Sequence, residues 1–217
     1  MRMELRKKPL VFMDTETTGL DADVHEIIEI AIIAADGEVL LHTKIKPEHL
    51  ERASPKALEI NGYNEEDWKY APTFEEVASK IFAHLSGEVV IAGQVVDFDL
   101  RFVNASLKRY YSKLGMEPKQ IEDTMRAISY HKVDTSTMAF EHLSPLGATS
   151  MSLWATCKAL GIKNPKAHTA LADIETTRQV YYRLLRMTWW GRLKLRLRGL
   201  RAWIKATRSS KNRGKVV

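Results

Sequence analysis

Asp14, Thr15 and Glu16 set two carboxylates two residues apart, directly behind the apolar run Leu10-Val11-Phe12-Met13. In an extended strand the side chains at i and i+2 share a face, so Asp14 and Glu16 project together. Paired carboxylates beside a buried segment repel each other and resist desolvation unless a cation compensates them. Oxygen-only donors of this kind suit Mg²⁺ or Mn²⁺ better than zinc. The plainer alternative is that Asp14 caps a turn and Glu16 faces water.

Two more places could add to this chemistry. Asp99 stands at the start of a helix after the apolar segment 88–92, where an isolated carboxylate would merely complement the helix dipole. Asp97 competes for the same role, but Asp99 is the one set between Phe98 and Leu100-Arg101-Phe102. His168 and Asp173 are five residues apart, about 140° on an ideal helix, so they diverge if both are helical. A helix beginning near Thr169 leaves His168 in the preceding loop and Asp173 in the first turn. An imidazole with a pKa near ~6.5 accepts a proton at neutral pH, which suits a general base. The bland reading, a surface histidine at a helix start, stands beside that one.

The elements that must position these residues follow from periodicity and turn chemistry. Residues 10–13 read as a buried strand, the isoleucine-rich stretch 25–36 as a second, and Asp36-Gly37 as the turn into a third over 38–46. Ser54-Pro55 opens a short helix. Thr73, with Glu75 and Glu76 behind it, starts a helix that ends near Gly87. A strand over 88–92 and a helix over 97–114 follow, then a fifth strand over 132–140. A helix over 152–160 is closed by Gly161, and the last begins near Thr169 and reaches at least Leu185. This order predicts an α/β fold with a mixed central sheet and no internal repeat.

The 217 residues suffice for one buried core, and no apolar run approaches the ~20 residues of a membrane-spanning helix. The N-terminal apolar run is too short for a signal-peptide core. The lone Cys157 has no partner for a disulfide or a zinc site, which predicts a reducing, cytoplasmic setting. The net charge of +6 is unevenly placed. Residues 191–217 hold ten Lys or Arg and no Asp or Glu, so the first 190 residues carry 23 basic against 27 acidic side chains. This predicts a domain over 1–190 and a basic amphipathic tail over 191–217. Leu193, Leu197, Leu200 and Ile204 in the tail fall at helical spacing, while 192–198 alternates as a strand would. Its cations could neutralise phosphates, lie on an anionic membrane surface, or simply be solvated.

Taken together, three segments resemble a known family. VFMDTETTGL (11–20), VVIAGQVVDFDLRF (89–102) and AHTALADIETT (167–177) are similar, in order and spacing, to the three motifs of the DnaQ-like, or DEDDh, 3′–5′ exonucleases. The resemblance spans roughly residues 9–185 and includes the SPKALEINGYNEEDW and APTFEEVASKIFAHL segments. The histidine branch is indicated, because His168 lies five positions before Asp173 and position 169 is Thr169.

The resemblance implies an RNase H-like fold, with a mixed five-stranded sheet whose first three strands are antiparallel, flanked by helices. It implies Asp14, Glu16, Asp99 and Asp173 as ligands of two divalent cations, Mg²⁺ or Mn²⁺, and His168 as the base that activates water. It also implies nucleotide contacts at Thr15, Thr17, Ile60, Asn61 and Phe98, and release of nucleoside 5′-monophosphates from the 3′ ends of single-stranded DNA or RNA. Polymerase association is a partner relation that fits the same family. One departure stands out: the family's usual His-Asn pair before the second motif is Gln94-Val95 here. The alternative function is a nucleic-acid-binding or polymerase-accessory module with a decayed nuclease site. All five catalytic positions being filled argues against it, and the absence of a His/Cys cluster argues against a zinc hydrolase.

Overall fold

The computed structural model describes residues 7–163 and 169–187. His168, the Trp189-Trp190 pair and the basic tail 191–217 lie outside the described residues. Five strands form one sheet: β1 (Leu10–Thr17), β2 (Ile27–Ala34), β3 (Val39–Lys44), β4 (Val90–Gly93) and β5 (Lys132–Asp134), in the order β3-β2-β1-β4-β5. The first three pair antiparallel, while β4 and β5 run parallel to β1. Gly37, at φ +102°, makes the turn between β2 and β3 that Asp36-Gly37 predicts.

The helices are α1 (Pro55–Ile60), α2 (Glu65–Trp68), α3 (Phe74–Leu85), α4 (Val96–Lys113), α5 (Pro118–Met125), α6 (Thr135–Leu143), α7 (Leu153–Leu160) and α8 (Ala170–Leu185). Several starts are those that capping chemistry dictates. Ser54 Oγ accepts the Ala57 amide at α1, Glu76 accepts the Thr73 amide at α3, and Ser152 Oγ accepts the Ala155 amide at α7.

Alternation along β1 divides the core. Val11 and Met13, with Ile30 and Ile32 from β2, face α3 and α4 and pack against Ile81, Leu85, Phe102 and Val103. Phe12, Ala31, Ile33 and Ala92 face the other way and pack against Ala170 and Ile174 of α8. A third cluster joins α6, α7 and the far end of α8.

The first strand carries on past the apolar run through Asp14 and Glu16 to Thr17, paired with β2, as the shared face of the two carboxylates requires. One expectation needs correction. The fifth strand ends at Asp134 rather than Phe140. The Asp134 carboxylate accepts the amides of Ser136 and Thr137 and so caps α6, turning the rest of that segment into helix. Helices α2 and α5 lie where no element was expected. Among the described residues no helix is long and apolar enough to cross a membrane.

Candidate active site

The carboxyl ends of β1 and β4 lie side by side and in parallel, beneath the start of α4. A Cβ on Gly93 would come within 2.9 Å of the Met13 carbonyl, so only glycine lets the β4–α4 turn approach β1 this closely. Four acidic residues from three elements meet here. Asp14 and Glu16 project from the same face of β1, the face covered by α8. Asp173 comes from the first turn of α8. Asp99 comes from the first turn of α4, and its Oδ1 accepts the Thr15 amide at 2.9 Å and the Thr15 hydroxyl at 2.7 Å. Immediately after Glu16 the β1–β2 register shifts, a bulge of the kind that re-aims side chains at strand ends.

The electrostatics follow from crowding like charges in a dry place. Burial raises Asp14 well above the usual carboxylate range, and Asp99, Glu16, Asp173 and Glu29 each push it further. Burial, then Asp173, Glu29 and Asp99, raise Glu16 to about 8. Asp99 is buried and is pushed up to about 7, against the opposing pull of the two Thr15 hydrogen bonds. Burial and the nearby Asp173 also push the Cys157 thiol up to about 11.

Crowding of this kind favours uptake of a proton or of a cation, and hard oxygen donors fit Mg²⁺ or Mn²⁺. No three of the four acids bring one oxygen each within 4.8 Å of one another, so they do not form a tight single-ion cage. The described residues that do meet that spacing are Glu26, Glu48 and His49, but there the Glu26 carboxylate accepts the backbone amides of Glu48 and His49. That group closes a loop.

The remaining predicted contacts fall around the same end of the sheet. Thr15 spends both its donors on Asp99. Thr17 is buried, donates to the Gly19 carbonyl at 2.6 Å, and through its own carbonyl accepts the Asn61 side chain at 2.8 Å. That bond ties the end of α1, and with it half-exposed Ile60, to the end of β1. Phe98 is partly exposed and stacks at 4.9 Å on Phe102. Asp97, the competitor of Asp99, is exposed and pairs with Lys132, pointing away from the buried cluster.

Two participants escaped the sequence reading. Glu29 is buried directly opposite Glu16 in the antiparallel register, with His42 Nε2 at 2.8 Å from its Oε1. Its signal was a single acid inside the apolar strand IIEIAIIA. Asp134 was hidden by the overlong fifth strand; its signal was a capping Asp ahead of Thr-Ser-Thr.

Comparison with known proteins bears on this geometry. Residues 11–181 match the RNase T exonuclease family model, described as "Exonuclease". The chain is 32% identical over 180 residues to the PolC-type DNA polymerase III of Thermotoga petrophila, covering 82% of this chain and 12% of that one. It is also 32% identical over 182 residues to the DNA polymerase III epsilon subunit of Rickettsia typhi, covering 80% of this chain and 72% of that one. The fold is similar to that of Escherichia coli Exonuclease I in complex with a dA16 oligonucleotide, with a TM-score of 0.63 at 20% identity over 88% of this chain and 42% of that one. The chain thus spans about an eighth of the polymerase it matches and most of the epsilon subunit. With the sheet order, the helices on both faces and the match over residues 11–181 in agreement, this chain belongs to the exonuclease family, as a DnaQ-like member with the RNase H-like fold.

Proposed function

We propose that this chain is a metal-dependent 3′–5′ exonuclease acting on single-stranded DNA or RNA. The observation that supports this reading is the crowding of Asp14 and Glu16 on β1 with Asp99 of α4 and Asp173 of α8, which together with burial holds Asp14, Glu16 and Asp99 above the usual carboxylate range. These four residues would hold two divalent cations, Mg²⁺ or Mn²⁺, which when bound supply Lewis-acid stabilisation of charge on the scissile phosphate. The direction of attack rests on the likeness of the three motifs to those of 3′–5′ exonucleases.

His168 accepts the proton of the attacking water as the water oxygen bonds to phosphorus. The bond from phosphorus to the 3′ oxygen of the penultimate nucleotide breaks, and that oxygen takes up a proton. The terminal residue leaves as a nucleoside 5′-monophosphate. Thr15 fixes the Asp99 carboxylate. Thr17 and Asn61 hold the loop that would face the terminal nucleotide, with Ile60 and Phe98 as its apolar walls. The basic residues of 191–217 add phosphate contacts without sequence preference. Association with a polymerase belongs to the same proposal, supported by relatives named as DNA polymerase III components.

The test is to incubate 5′-labelled single-stranded DNA and RNA of matched sequence with Mg²⁺, Mn²⁺ or EDTA and to follow the products. Stepwise shortening from the 3′ end, lost with EDTA and in Asp14→Ala, is the expected outcome. Binding without cleavage under every metal condition would favour the decayed module instead.

A further inference from the structure

Val95 is the one non-glycine residue with positive φ among the described residues, at φ 59° and ψ 45°. A β-branched side chain in the left-handed region is a strained arrangement that persists only where the surroundings impose it. Here the surroundings do impose it. The Asp134 carboxylate accepts the amides of Val95 at 3.3 Å and Val96 at 3.1 Å, and is itself fixed by the Ser136 amide at 2.7 Å. On the other side, Gln94 donates to the Met151 carbonyl at 2.8 Å and accepts the Thr135 hydroxyl at 2.6 Å. The turn is anchored from both flanks.

The strain brings little return in folding. Val95 is 51% exposed, so its isopropyl group adds little to the core. Glycine would adopt this backbone without the steric penalty, and asparagine with much less of it. The position, however, is a privileged one. Val95 is the second residue beyond the carboxyl end of β4, one helical turn ahead of Asp99. In open α/β sheets, ligands settle in the crevice outside the carboxyl ends of the strands.

We infer that Val95 is a substrate-contacting residue: an apolar wedge, held rigid by its strained turn, that packs against a nucleobase of the strand entering the site. This rests on the nuclease reading above and adds a specificity-determining contact to it. An apolar contact made equally in the ground and transition states changes KM and leaves kcat alone.

The test compares Val95→Gly and Val95→Ile with the wild type in three measurements. These are the melting temperature, KM and kcat on a single-stranded oligonucleotide with Mg²⁺, and Kd of the same labelled oligonucleotide with Ca²⁺. The glycine variant should melt at a higher temperature yet show KM and Kd raised about five- to tenfold, with kcat within about twofold. The isoleucine variant, which keeps the apolar wedge, should retain the wild-type KM. A glycine variant with wild-type KM and Kd overturns the inference, whatever its melting temperature. Wild-type enzyme that binds the strand but does not cut it would sink the nuclease reading, leaving Val95 to be judged on Kd alone.

Discussion

The two faces of the sheet are built from the same strands and do opposite things. Towards α3 and α4, β1 and β2 present Val11, Met13, Ile30 and Ile32 to an entirely apolar cluster that includes Ile81, Leu85, Phe102 and Val103. Towards α8, the alternate positions begin apolar at Phe12 and Ala31, then turn acidic at Asp14, Glu16 and Glu29. One face gathers apolar contacts until Thr15, where it takes up the Asp99 carboxylate of α4. The other gives up part of that stabilisation to hold carboxylates that repel each other. A period of two along a single strand is enough to set most of the folding apart from most of the chemistry, with Thr15 and Asp99 as the crossing point.

That division can be broken in three ways. The largest effect is expected on the acidic face. Glu16→Gln should lower exonuclease activity by more than about a hundredfold, since even outer partners of a metal ligand are worth ten- to hundredfold. The metal-free variant should be at least as stable as the wild type in urea, because a carboxylate raised by burial and like charges is gone. A variant that loses activity by unfolding would erase the distinction between the faces. On the apolar face, Ile32→Ala should cost about 2–5 kcal/mol of unfolding free energy. The kcat of its folded fraction should stay near the wild-type value.

The smallest expected effect is on pH dependence. Glu16 and Asp99 have folded-state pKa values of about 8 and about 7, above the values of an unfolded chain. The folded protein therefore binds more protons than the unfolded one between roughly pH 4.5 and pH 8, and stability falls as pH rises through that window. Metal-free protein should melt a few degrees lower at pH 8.5 than at pH 5.5, and saturating Mg²⁺ should narrow that gap. A melting temperature that rises over the same interval without metal would mean the acids are not crowded as described.

Much of this was legible in the sequence because it is local. Ser54-Pro55, Asp36-Gly37, the acidic residues after Thr73 and the Gly161 stop each act through neighbours in the chain, and each element formed near its predicted position. Spacing within Asp14-Thr15-Glu16 gave a shared face for the same reason. What the sequence hid depends on distant partners. Whether Asp97 or Asp99 turns inward is decided by Thr15 and Lys132, which lie 84 and 35 positions away from their partners. Asp134 has a local signal, a cap followed by small hydroxyl residues, but Val133 beside it reads equally well as strand. Glu29 is a lone charge whose importance appears only when β2 is laid against β1.

The last described helix closes the acidic face and also carries Asp173, so the final piece of the core and the final acid of the pocket arrive together. During synthesis, Asp14 and Glu16 emerge early, Asp99 follows, and the cluster stays one member short until α8 has left the ribosome and docked. On the proposed reading, a chain that has not yet docked α8 lacks one of the four acids and would not cut the nucleic acids around it.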